Sequence, residues 1–239
     1  LNVSGTPVTT GGIVNCTADN IVLAGTTTLT GSWCGIRVTG TVTNSGTTTV
    51  SGLLNIASGT LLMTGSTLNA TTFETTGTGV FQMTSTDDIA NISGNASFNG
   101  GTETGALIAG QLTVNGNFSV GTGAMFNASG SHTTQFAGSG TQTIGWATPV
   151  ANVGFNNVLF NHSFARQFTS DAYIGGTVTI FSSDTVGSTA FVSGAHRITL
   201  GGTNVGILDQ SIGGAWRVGV TNYAMPGANL TTFASMASV

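Results

Sequence analysis

Among the 239 residues of this chain, the side chains able to carry acid–base, nucleophilic or metal chemistry are few: eight acids, three histidines, two cysteines and four arginines, with no lysine. Asp87 and Asp88 are the one adjacent acidic pair. Neighbouring side chains on a strand point to opposite faces, so these two converge only in a loop, and a solvated turn is expected in preference to a cation site. His132, His162 and His196 lie far apart with no cysteine or carboxylate at metal-ligand spacing, which makes them exposed or edge histidines by expectation. A glycan-cleaving site would need paired carboxylates on one face. Its test is whether two or three of Asp87, Asp88, Glu103, Asp171 and Asp184 converge. Serine is plentiful, but no Gly-x-Ser-x-Gly elbow sits between a strand and a helix. No phosphate-binding Gly-Lys-Ser/Thr can exist without lysine. The expectation is a chain with no catalytic residues, no cofactor and no metal.

Two further groups carry alternatives. Cys16 and Cys34 stand 18 positions apart, close to one coil of many stacked β-structures, so they could close a disulfide between neighbouring coils in an oxidising compartment. Two buried thiols, or one buried and one exposed, are the competing reading. Trp33, Trp146, Trp216, Tyr173 and Tyr223 could offer aromatic platforms to sugars, against the plainer reading of core or cap packing. A groove that joins Trp or Tyr to Asp or Asn would favour the sugar reading.

The elements that must position these residues are strands. Short alternating runs recur throughout: Ile21 to Ala24, Ile36 to Thr39, Leu112 to Asn115 and Thr177 to Phe181, each with one apolar face and one hydroxyl or amide face and each followed by a turn rich in Gly, Ser or Asn. Helical periodicity is almost absent. Charged residues make up 5% of the chain against roughly 25% in ordinary domains, so Thr, Ser and Asn must supply the hydration. Arg37, Arg166, Arg197 and Arg217 are scattered, which argues against nucleic acid as a partner. No apolar run approaches the roughly 20 residues of a membrane span. The chain opens at Leu1, consistent with a processed mature protein or a piece of a longer one.

The strand–Gly–strand grammar of Thr39 to Gly52 reads like that of Leu112 to Gly123, and such self-similarity favours a parallel β-solenoid over a sandwich or barrel. At roughly 20 residues per coil the chain would make about twelve short coils and a column near 55 Å, from a strand spacing of about 4.8 Å. The expected organisation is a solenoid over 1–223 and a terminal cap or linker over 224–239. Phe81 to Gly101 reads as a protruding loop or altered coil. Phe155, Phe160 and Phe164 read as an aromatic stack along the core.

Leu112 to Phe118, Gly138 to Ile144, Phe155 to Val158 and Ile198 to Gly202 carry a resemblance, over Gln111 to Gly202, to the β-strand-repeat regions of large secreted bacterial surface proteins, of adhesin or autotransporter-passenger type. Phage tail fibres use similar repeats. The resemblance implies architecture and secretion, and it carries no activity. The expected function is a non-catalytic extracellular scaffold, filament subunit or adhesin stalk, secreted or at the cell surface. Its partners would be copies of itself, neighbouring domains or glycans. A virion appendage binding a receptor or glycan, and a polysaccharide-processing enzyme, are the alternatives.

Overall fold

The computed structural model describes residues 2–3, 8–10, 21–161, 166–181, 198–200 and 223–224. Within them the chain is all strand and turn, with no helix, and every paired strand is parallel to its neighbours. The architecture is a parallel β-solenoid, and its coil has three faces. The first face stacks Ile36–Val38, the end of Thr41–Ile56, the end of Thr67–Thr75, Ala96–Phe98, Phe118–Val120 and Gln142–Trp146. The second runs from the opening residues of Thr26–Trp33 and of Thr41–Ile56 through Thr60–Met63 and Val80–Met83. The third carries Ile89–Ile92, Gln111–Val114, Thr133–Phe136 and Asn157–Asn161. The 16-residue strand Thr41–Ile56 visits all three faces, and its pairing register slips between Val50 and Leu53 where the chain turns a corner.

Strand alternation puts every second side chain inside. Ile36, Leu54, Phe73, Ala96, Phe118, Ile144 and Phe168 form one buried inner row, each aligned with the next along the first face. From Ile21 to Phe168 this row makes about seven turns, not a dozen. Over this span the mean coil length stays close to the expected value of roughly twenty residues, but the coils are not uniform. Paired positions lie 15 residues apart at Ile21 and Ile36, 19 at Leu54 and Phe73, and 26 at Phe118 and Ile144. A longer coil encloses a wider interior, and the sequence fills it with larger side chains. Leucine, isoleucine and valine, with Trp33, line the short coils, while Phe73, Phe81, Phe98, Phe118, Phe126, Phe136, Phe155 and Phe160 fill the longer ones. Phe118 is the hub of these rings, with centroids 5.0 Å from Phe126, 5.1 Å from Phe155, 5.6 Å from Phe98 and 5.7 Å from Trp146. The expected stack is found for Phe155 and Phe160, both buried and both against Phe136, and Phe164 lies outside the described residues.

The corner between the first and second faces shows why glycine recurs. A Cβ on Gly59 would collide with the backbone of Gly40, and one on Gly40 with the backbone of Gly25, so successive coils approach closer than any side chain allows. Phe81 to Gly101 is no protrusion. It forms a three-strand coil of Val80–Met83, Ile89–Ile92 and Ala96–Phe98; the last two are paired on both sides, and Val80–Met83 is paired with Thr60–Met63 and bridged at Met83 to Leu107. The 223/224 boundary falls inside the short strand Tyr223–Ala224, and residues 225–239 lie outside the described residues.

Candidate functional site

The acidic pair separates by burial. Asp87 is exposed, while Asp88 is fully buried, which corrects the solvated turn expected from the sequence. One Asp88 carboxylate oxygen accepts the Gly65 amide at 2.7 Å, and the other accepts the Thr84 and Ser85 amides, each at 2.9 Å. Two of these N–H groups belong to the tight turn over residues 84–88 and the third to Gly65 of the preceding coil, and the one carboxylate satisfies all three. Asp88 is therefore structural, tying its turn to the preceding coil. Glu103 is buried in another turn. Neither of its carboxyl oxygens has a hydrogen-bond partner of good geometry. Burial pushes its pKa up to about 8, against a smaller lowering by the nearby Phe81 and Glu103 backbone amides. Asp171 is exposed on a different coil, and Asp184 lies outside the described residues. Among the described residues no three of His, Cys, Asp and Glu gather into a set that could hold a metal.

His132 is buried, not exposed, because its ring sits inside the widened coil beside Phe126. Its Nδ1–H donates to the Ala109 carbonyl at 2.9 Å and Nε2 has no partner, so the imidazole is held neutral; burial lowers its pKa to about 4. His162 and His196 lie outside the described residues, as does Cys16; Cys34 is half-buried just after the strand Thr26–Trp33. Arg166, one of the four scattered arginines, is fully buried. Its guanidinium donates to the Gly138 carbonyl at 2.9 Å and the Gly140 carbonyl at 3.2 Å, and burial lowers its pKa to about 10. Gln142 completes that turn, accepting the Gly138 amide and donating to the Val114 and Gly116 carbonyls.

Glu103 and His132 give stability a defined pH profile. The folded state holds the Glu103 proton from about pH 4.5 to 8 while the unfolded chain has lost it, so this contribution falls as pH rises through that window. His132 acts in the other direction: between about pH 4 and 6.5 the unfolded chain binds a proton that the folded one refuses, so stability rises with pH there. The two oppose each other between 4.5 and 6.5, and above 6.5 only Glu103 acts. Unfolding free energy is expected to drop by about 2 kcal/mol between pH 6.5 and 8. Urea titrations at both pH values check this, and Glu103→Gln should flatten the decline.

One cleft joins aromatic and polar groups. It holds about 290 Å3 and is lined by Trp146, Pro149, Val150, Asn152, Asp171 and Tyr173, among others. Trp146 ends one strand and packs its ring against Phe155 and Phe118. Its amide donates to Ser170 Oγ at 2.7 Å, and its indole nitrogen is buried with no partner. Tyr173 comes from the next coil, in the strand Ala172–Ile174. Its ring lies over Gly175, where a Cβ would meet it at 3.2 Å, and a Cβ on Gly154 would strike its carbonyl. Asn152, in the connecting loop, is the one non-glycine residue with positive φ among the described residues, at 60°. Trp33 is core as Trp146 is, but its indole N–H is bound, to the Thr30 carbonyl at 2.9 Å. Trp216 and the side chain of Tyr223 lie outside the described residues.

Along the outer surface, amides and hydroxyls replace charge. Asn91 donates to Asn69 at 3.0 Å, Gln111 to Gln135 at 2.7 Å and Ser119 to Ser97 at 3.0 Å, each pair bridging neighbouring coils. Asn117 and Asn95 use their side-chain oxygens to accept backbone amides of the following coil. No family model, curated protein or solved structure matches the chain.

Proposed function

We propose that this chain is a non-catalytic scaffold segment of an extracellular or surface fibre, of the kind that the resemblance to secreted bacterial β-strand-repeat proteins implies, working by stiffness and by association with copies of itself or with neighbouring domains. The observation that carries this reading is the pairing of a continuous buried row with an outer surface of uncharged side-chain ladders. Each coil leans on the last through backbone ladders, which makes the stack stiff. A surface with so few charges offers little like-charge repulsion between neighbours. Its buried carboxylates and its buried arginine are used to hold turns or sit inside the coil, which suits a framework role.

Sedimentation velocity over a wide concentration range tests the reading. The expected result is self-association that grows with concentration and responds weakly to added salt, because surface ion pairs are not what holds the copies together. A monomer at every concentration would count against it.

A further inference from the structure

We propose that the cleft between Trp146 and Tyr173 binds a neutral glycan, in addition to any mechanical role of the solenoid. A pyranose ring has an apolar C–H face and a rim of hydroxyls, and it is recognised where an aromatic ring stands beside amide or carboxylate groups. This cleft has that composition. Tyr173 is half-buried and backed by Gly175, so its ring is presented on a rigid support; Asn152 and Asp171 lie in the same lining, both exposed. Val150 is 48% exposed, the highest value for a large apolar side chain among the described residues, and it adds apolar surface to the lining.

One observation points to a ligand: the indole N–H of Trp146, a lining residue of the cleft, is buried without an acceptor, an unmet demand that a ligand hydroxyl would answer. Asn152 holds a left-handed backbone conformation, as asparagine in turns readily does, and this fixes the turn that carries its amide. The volume, about 290 Å3, lies near the lower end of the roughly 300–1,000 Å3 range of small-molecule sites, which suits one end of an oligosaccharide.

Trp146 also lines a second, more open concavity of about 370 Å3 on the outer side of the first face, with Asn117, Ser119 and Thr143. The two concavities share this one residue, so a glycan seated at Tyr173 has a polar, uncharged path onward. Charge selects against acidic sugars: no lysine or arginine lines either concavity, and Asp171 stands in the first. Binding should therefore favour neutral oligosaccharides and strengthen with chain length.

The experiment is an array of immobilised oligosaccharides, neutral ones built from glucose, galactose, mannose and N-acetylglucosamine beside sialylated and uronic-acid-containing ones, probed with the intact chain. The strongest neutral ligand is then titrated by NMR. Tyr173→Ala should weaken it at least about tenfold through loss of the stacking ring. Asn152→Gly should weaken it about threefold or more by removing one hydrogen-bonding group, while glycine suits the positive φ and preserves the loop. Absence of binding to any neutral sugar, preference for the acidic ones, or binding unchanged in Asn152→Gly and Tyr173→Ala would overturn the assignment.

Discussion

Phe118→Ala is expected to lower the unfolding free energy by about 3–5 kcal/mol, read as a shift of the urea midpoint at unchanged slope. The ring is 1% exposed and touches aromatic rings from the coils on both sides, Phe98 before it and Trp146 and Phe155 after it. Truncation leaves a cavity that these neighbours cannot close, because their backbones are fixed by ladder hydrogen bonds at one strand spacing. Ser119→Ala, one position along and facing outward, supplies the control and should change stability by no more than about 0.5 kcal/mol. A loss below about 1.5 kcal/mol at Phe118 would mean that the wide coils are loosely packed.

Asp88→Ala should cost about 2 kcal/mol or more, because it removes the one charged acceptor that the Gly65, Thr84 and Ser85 amides share and empties a fully buried position. The same residue passes the pairing on, since the Asp88 carbonyl accepts the Gln111 amide at 2.9 Å. Its side chain thus holds the coil before it and its backbone the coil after it. Asp87→Ala, at the exposed neighbour, should be nearly neutral, and Asp88→Asn should fall between, keeping one acceptor oxygen. Equal effects at positions 87 and 88 in a thermal or urea series would refute this division of roles.

The strand–glycine grammar made the fold class readable because alternation survives in every coil: the segments read at Ile21, Ile36, Leu112 and Thr177 all contain strands. The phase of the repeat was not readable. Thr39 to Gly52 and Leu112 to Gly123 look alike, yet Val42 pairs with Leu61 on the second face and Leu112 with Ala90 and Thr134 on the third. Coil length drifts from 15 to 26 residues, so no single period aligns the faces.

Buried polar residues were misjudged for a related reason. Asp88 follows Thr84 and Ser85 in a segment whose composition is that of an exposed turn, yet its side chain is buried and reaches Gly65 of the neighbouring coil. The available signal was an aspartate three and four residues after Ser85 and Thr84, a spacing at which a carboxylate can reach back to cap turn amides. His132 and Arg166 hydrogen-bond to carbonyls 23 or more positions away, at Ala109, Gly138 and Gly140, which no local pattern reports. For the cleft the sequence supplied a criterion, Trp or Tyr beside Asp or Asn, and named no members. Its members, Trp146, Asn152, Asp171 and Tyr173, come together only because the strand Ala172–Ile174 lies one coil beyond the loop after Trp146.

Electron microscopy of the purified chain at rising concentration tests the scaffold reading most directly. The account predicts elongated assemblies that lengthen or thicken with concentration, with a spacing of about 4.8 Å between stacked coils along each solenoid. Single, separate particles at every concentration would contradict it.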